Sequence, residues 1–386
     1  MAGMSIVLST TRLPVTTALG GLVAMAVGIG IGRFVYTPIL PVMLAGLGLS
    51  KAAAGLIASA NFAGYLAGAA AAARLSLPGS RRTWLLAALI VSALSTAAMG
   101  FMTALPSFLL LRFIGGAASA LVLILSSALV MDRLMEAGRP GLVALHFAGV
   151  GGGIAVSAAL VAVLLAAGAS WQALWQASGT ISMLAALAVM LLLPAGPVPP
   201  PLIRTVRLYR ADPRLRRLTL AYGLFGFGYV ITATFLLAIV RTTPAIRALE
   251  PVIWVIVGVA AAPSVMLWDQ LGRRLGIPTA FAVAAVAEAL GVLASVVWPS
   301  AIGIFLAAVL VGGTFMGLTS LGLMRARELA RDDAGRAMAA VTGAFGVGQI
   351  VGPLLAGMLA DTLGGLTVPS ILAAGALVAA AWLVRG

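Results

Sequence analysis

Continuous apolar runs of about 18 to 25 residues recur along nearly the whole chain, each long enough to cross a hydrocarbon core roughly 30 Å thick as a helix. They fall near residues 15–37, 50–73, 83–104, 106–130, 141–167 and 171–193, and again at 218–240, 251–268, 278–297, 301–324, 338–360 and 366–383. With 62% of 386 residues hydrophobic and 9% charged, no water-soluble fold has enough interior to hide this surface, so the bilayer is the expected solvent. Membrane barrels are excluded, because their strands alternate apolar and polar residues over roughly ten positions instead of running continuously apolar. The sequence therefore predicts an all-α membrane protein of twelve transmembrane helices. Its 46 glycines and alanine runs such as Ala69–Ala73 suit helices that approach closely in lipid.

Charge fixes the expected orientation. Of 24 Lys and Arg residues, two (Arg33 and Arg112) lie inside spans, and three (Lys51, Arg241 and Arg247) lie in one set of loops. The remaining nineteen, from Arg12, Arg74, Arg81 and Arg82 through Arg204, Arg207 and Arg210 to Arg331, Arg336 and Arg385, fall in the other set. By the positive-inside rule that set is cytoplasmic, and an even number of spans puts both termini there, in the cytoplasmic (inner) membrane of a bacterium. The net charge of +14 thus reads as topology and attraction to anionic lipid; no aromatic-basic module accompanies it, and nucleic acid is not an expected partner. The first apolar run carries Arg33 and leads into eleven others, so helix 1 is expected to be retained and not cleaved as a signal.

Residues 194–217 form the longest loop on the basic side, opening with the proline-rich PAGPVPPP and closing with RLYRADPRLRR. They are read as a linker between an N-terminal six-helix unit, 1–193, and a C-terminal one, 218–386. Spacing supports duplication. Gly115-Gly116 and Gly312-Gly313 stand 197 positions apart (312 minus 115), and so do Gly149-Val150-Gly151 and Gly346-Val347-Gly348.

Asp269–Arg274 and Leu111–Gly116, set in two halves of six spans, make the chain as a whole resemble the major facilitator superfamily. Asp269-Gln270-Leu271-Gly272-Arg273-Arg274 is similar to the family's loop signature, which implies a gating latch at the cytoplasmic helix ends; Gly272 is expected to permit a tight turn there. Its counterpart Pro78-Gly79-Ser80-Arg81-Arg82 lacks the acid. Leu111-Arg112-Phe113-Ile114-Gly115-Gly116 resembles the family's intramembrane arginine motif. Within the superfamily, Gly28-Ile29-Gly30-Ile31-Gly32-Arg33-Phe34-Val35-Tyr36-Thr37-Pro38 and Asn61-Phe62-Ala63-Gly64-Tyr65-Leu66-Ala67-Gly68 resemble the YbfB/YjiJ group. The resemblance implies two six-helix bundles that rock around a central site, and a monomer.

An arginine deep in a span faces the bundle interior with a partner or a ligand, since exposure to lipid costs roughly 2.5 to 3.5 kcal/mol on insertion scales. By helical rise Arg33 is expected about 6 Å and Arg112 about 9 Å from the same outer surface, where a shared cavity would offer both to an anion. Asn61 and Tyr65, one turn apart on helix 2, and Tyr36, Tyr229 and Gln349 complete the candidate substrate site; interhelical hydrogen bonding is the plainer reading of Asn61. Glu288, the carboxyl nearest a midplane, and His146, the single histidine, are the candidates for proton coupling, although the resemblance puts the ninth helix away from the cavity.

The expected function is secondary active transport of a small organic solute, coupled to protons, with a preference for a carboxylate. Multidrug or lipid efflux is the alternative, and a non-transporting sensor or assembly partner the alternative of another class. No cysteine is present, so no thiol chemistry is available. No Walker A sequence, metal-ligand cluster, paired intramembrane carboxylate or Ser-His-Asp set suggests an enzyme, a metal or a cofactor.

Overall fold

The computed structural model describes residues 2–74, 79–193, 212–330 and 333–385, with side chains from residue 14 onward. Arg12, Arg74, Pro78, Arg204, Arg207, Arg210, Arg331 and the 194–211 stretch of the expected linker lie outside the described residues or side chains. Every regular element among the described residues is helical: α1 (Ala2–Met25), α2 (Tyr36–Leu47), α3 (Lys51–Arg74), α4 (Arg81–Ala98), α5 (Leu105–Glu136), α6 (Val143–Ala166) and α7 (Trp171–Leu192) in the first half. The second half holds α8 (Pro213–Thr242), α9 (Glu250–Ala261), α10 (Ser264–Leu275), α11 (Ile277–Val297), α12 (Ala301–Leu329), α13 (Ala334–Thr362) and α14 (Thr367–Arg385). Among the described residues, eleven continuous spans are long and apolar enough to cross a membrane, and twelve when α9 and α10, bent by 44°, are taken as one.

Local chemistry sets the boundaries. Ser80, Ser170 and Ser300 accept the N–H groups of Thr83, Ala173 and Gly303, so three helices begin on a capped serine. Gly48 (φ 62°) and Gly276 (φ 82°) close α2 and α10 in backbone conformations that a side chain would strain.

The expected first span, 15–37, is too short. A π-helical segment, Ala26–Ile31, and a turn at 32–35 join α1 to α2, giving one 34-residue crossing from Pro14 to Leu47. Tyr36-Thr37-Pro38 reads as an exit from the membrane, but Pro38 falls in the first turn of α2, where its missing N–H costs little, and the helix resumes. The expected turn at Gly272 is also corrected: Asp269 to Arg274 is continuous α-helix, the chain turns at Gly276, and a Cβ on Gly272 would meet Leu321 of α12 at 2.9 Å.

In the first half α3 packs along α5, α4 along α5 and α7, and α1 along α6; in the second, α8 packs along α13 and α14, α11 along α12 and α14, and α9 along α12. Gly116 of α5 admits the Asn61 carbonyl of α3 and Gly312 of α12 admits the Val257 carbonyl of α9, so one glycine of each pair makes the close approach, the second of the pair in the first half and the first of the pair in the second. The halves meet along α3–α13, α6–α9 and α2–α8.

Candidate functional site

The break in the first span positions the candidate site. Gly32 donates to the carbonyl of Val27, five residues back, and Thr37 donates to Phe34 at 3.2 Å instead of to Arg33. The Arg33 carbonyl thereby loses its usual helical partner, and a buried carbonyl needs another. Arg112 supplies it: Nη2 donates to the Arg33 carbonyl at 3.0 Å and Nη1 to the Gly32 carbonyl at 2.9 Å, while its Cζ lies 5.2 Å from the Tyr36 ring centre. Two of Arg112's donors are committed to the backbone of the broken span, so Arg112 positions that span; its buried Nε has no hydrogen-bond partner.

Arg33 is arranged differently. It lies fourteen residues before Leu47, hence about 21 Å along the helix from that end, near mid-membrane and well below the depth expected from sequence. Its Cζ sits 4.3 Å from the centre of Tyr65, 4.9 Å from Phe62 and 5.8 Å from Phe34, close enough for cation–π attraction. Only 8% of the residue is exposed, and its Nε and Nη2 have no hydrogen-bond partner. No ion pair to Arg33 occurs among the described residues. A buried cation with two unused donors is costly, and an anionic ligand is the simplest group to complete it.

The second half presents rings toward this point. Phe34 meets Phe315 at 5.7 Å and Trp254 at 6.5 Å. Tyr229 lies between Phe315 and Phe345, nearly parallel to both, with centroids 5.8 and 5.7 Å away. The Gln349 amide donates to the Tyr229 hydroxyl, and Tyr229 lies within electrostatic range of both Arg33 and Glu288. Arg33, Tyr65, Tyr229 and Gln349 are thus brought to one region between the halves.

Other candidates are used within their own half. Asn61 donates to the Arg112 carbonyl at 2.9 Å, tying α3 to α5, and the Tyr36 hydroxyl donates to the Ala54 carbonyl at 2.9 Å. His146 is fully buried beside Ser127 (Nε2 to Oγ, 3.1 Å) and Gly21, inside the first half. Glu288 is fully buried with neither carboxyl oxygen hydrogen-bonded; Thr314 beside it gives its hydroxyl to the Leu310 carbonyl at 2.6 Å.

On the basic side, Asp269 pairs with Arg273 within α10, and Arg81 pairs with Asp132 at 2.8 Å. Arg82 donates to the Met190 and Leu193 carbonyls at the end of α7. Each of these contacts stays within one half. Cross-half hydrogen bonds cluster toward the opposite face: Asp361 accepts the backbone N–H groups of Lys51 (3.0 Å) and Ala52 (2.8 Å), Ser59 donates to Ile350 and Thr37 to Ala233, both at 2.6 Å. Asp361, Phe62, Phe315 and Phe345 are not singled out by sequence. A lone acid at the end of an apolar helix was the available sign of Asp361, whereas nothing local marks which phenylalanines face inward.

Residues 25–385 match the family described as uncharacterised MFS-type transporter YbfB. No curated protein matches. Among solved structures, the chain is similar to a mutant of the nucleoside transporter NupG (TM-score 0.77, 14% identity, covering 96% of this chain and 99% of that one). It is similar to a D-xylose-proton symporter (0.74, 18%, 96% of each chain), and to a bacterial homolog of the human lysosomal transporter Spinster in an inward-facing, occupied conformation (0.71, 15%, 97% and 96%). The family match over nearly the whole chain, on a helical membrane fold, makes this protein a member of the YbfB-type family of major facilitator transporters and not an enzyme.

Proposed function

We propose that the protein is a proton-coupled secondary transporter of a small organic solute bearing a carboxylate, and that Arg33 receives the anion. The observation that carries this reading is the guanidinium of Arg33: buried near mid-membrane, stacked by aromatic rings, with two donors unused and no acidic partner among the described residues. Tyr65, Tyr229 and Gln349 complete the proposed site, and Arg112 holds the Arg33 segment in place. Glu288, a buried carboxyl without an ion-pair partner among the described residues, carries the coupling proton. Residues 1–193 and 218–386 rock as two units joined by 194–217, with both termini in the cytoplasm of a bacterium and the protein acting as a monomer. The likeness to a proton symporter in fold is compatible with this coupling but carries no substrate.

A second reading rests on one observation, the near-parallel Phe315, Tyr229 and Phe345 rings, which would suit efflux of a flat lipophilic compound. Thermal-shift screening of the detergent-purified protein against small carboxylates, amino acids, sugars, lipophilic cations and lipids separates the two, because a ligand stabilises the state it binds. Stabilisation by carboxylates that is lost in Arg33→Ala is the expected result; stabilisation by cations or neutral drugs that persists in Arg33→Ala rejects the anion site. In proteoliposomes, Glu288→Gln is expected to retain exchange of the stabilising carboxylate and to lose accumulation driven by a pH gradient. Unchanged accumulation would remove Glu288 from the mechanism.

A further inference from the structure

The flank of α8 and α13 turned away from the central site carries a groove of about 710 Å³ with a charged mouth and an apolar body. Tyr222, Phe225 and Tyr229 of α8 are buried toward the site, whereas Leu220 of the groove is 56% exposed and Val347 of α13 is 54% exposed. In a chain whose long helices cross a bilayer, such open apolar surface faces lipid tails. Gly223 and Gly348 form the floor, where the two backbones come close enough to leave a furrow.

The furrow has the depth of one leaflet. Arg216 to Phe227 is eleven residues along α8, about 16 Å, and Arg336 to Val351 is fifteen along α13, about 22 Å, against roughly 15 Å for half a hydrocarbon core. Its mouth is electropositive. Arg216 and Arg336 are both exposed there, and α8 and α13 both begin there, at Pro213 and Ala334, presenting the positive ends of two long helices. Each helix start is capped by its own carboxylate, Asp212 accepting the backbone N–H of Arg214 at 2.8 Å and Asp333 that of Arg336 at 3.3 Å. With both starts capped, the exposed guanidinium groups of Arg216 and Arg336 are what favour an anion at headgroup level, directly above an apolar slot.

We infer that this groove binds one anionic phospholipid from the leaflet on the basic side, with its phosphate between Arg216 and Arg336 and one acyl chain lying against Gly223, Ala344 and Val351. The site is separate from the proposed solute site and is reached from the bilayer, so it does not depend on what the protein transports.

The test is native mass spectrometry of the purified full-length protein after addition of phosphatidylglycerol or phosphatidylcholine with the same acyl chains. Two arginines near the surface set an expected preference on the order of tenfold for phosphatidylglycerol. Arg216→Ala combined with Arg336→Ala should abolish that preference, and Ala344→Trp should expel bound lipid of either headgroup by filling the slot. Val347→Trp serves the same purpose at the exposed edge if Ala344→Trp does not yield folded protein, with folding checked by thermal unfolding. Equal retention of the two lipids by the unmodified protein overturns the proposal. So does a preference that survives in the double variant, or lipid retained when the slot is filled.

Discussion

Arg33 and Arg112 share a neighbourhood but not a task. Arg112 satisfies two carbonyls that the break in the first span leaves without helical partners, and removing it orphans both in a dry interior. Arg33 satisfies no such group through Nε or Nη2. Arg112→Ala is therefore expected to lose about 3 kcal/mol of stability and to unfold several degrees lower without any ligand, from two charge-assisted hydrogen bonds at about 1.5 kcal/mol each. Arg33→Ala is expected to unfold within a degree or so of the unmodified protein, or above it, because an uncompensated buried charge is removed. Thermal unfolding monitored by intrinsic fluorescence distinguishes them; equal losses would mean that Arg33 is also structural. The presence of both arginines was legible in the sequence, since charge inside an apolar run is conspicuous. Their division of labour was not, because it depends on which carbonyls are free, and that follows from a local change of helical pitch.

The helices themselves were legible almost throughout, because hydropathy over twenty residues is a strong signal and the bilayer enforces it. The misplacements have one cause. Tyr36-Thr37-Pro38 and Gly272 carry residues that usually end helices, and in both places the chain continues because neighbouring helices absorb the irregularity. Contacts between helices from different halves left little trace in the sequence, and Asp361 is the clearest case. At the end of α13 its carboxylate caps the first turn of α3, joining a negative charge to the positive end of a helix from the other half. Capping interactions contribute about 1 kcal/mol, enough to shift a balanced equilibrium roughly fivefold. Asp361→Ala is expected to open this face. A spin-label pair on cysteines introduced at Ala45 and Leu363 would report a longer distance population in the variant, and an unchanged distribution would deny Asp361 a latching role. The absence of native cysteine makes such labelling specific.

At the scale of the whole molecule, the polar contacts across the halves are gathered toward one face, while on the basic face Asp269–Arg273 and Arg81–Asp132 pair within their own half. This asymmetry is what a protein closed on one side and ready to open on the other requires. The face that is closed is extracytoplasmic under the proposed orientation. Fusion of green fluorescent protein after the final residue is expected to give fluorescent cells and alkaline phosphatase at the same position no activity; the reverse pattern would invert the topology and exchange the two faces. The charge of Arg33 then has an electrical consequence under the proposed mechanism. In the loaded carrier it is offset by the anion while Glu288 holds its proton, and in the empty carrier by the deprotonated Glu288, so the Arg33–Glu288 pair moves without net charge in both steps. The membrane potential, worth about 2.3 kcal/mol per elementary charge per 100 mV, consequently exerts little force on that pair, and one-for-one uptake of a proton with a monovalent anion is expected to be electroneutral.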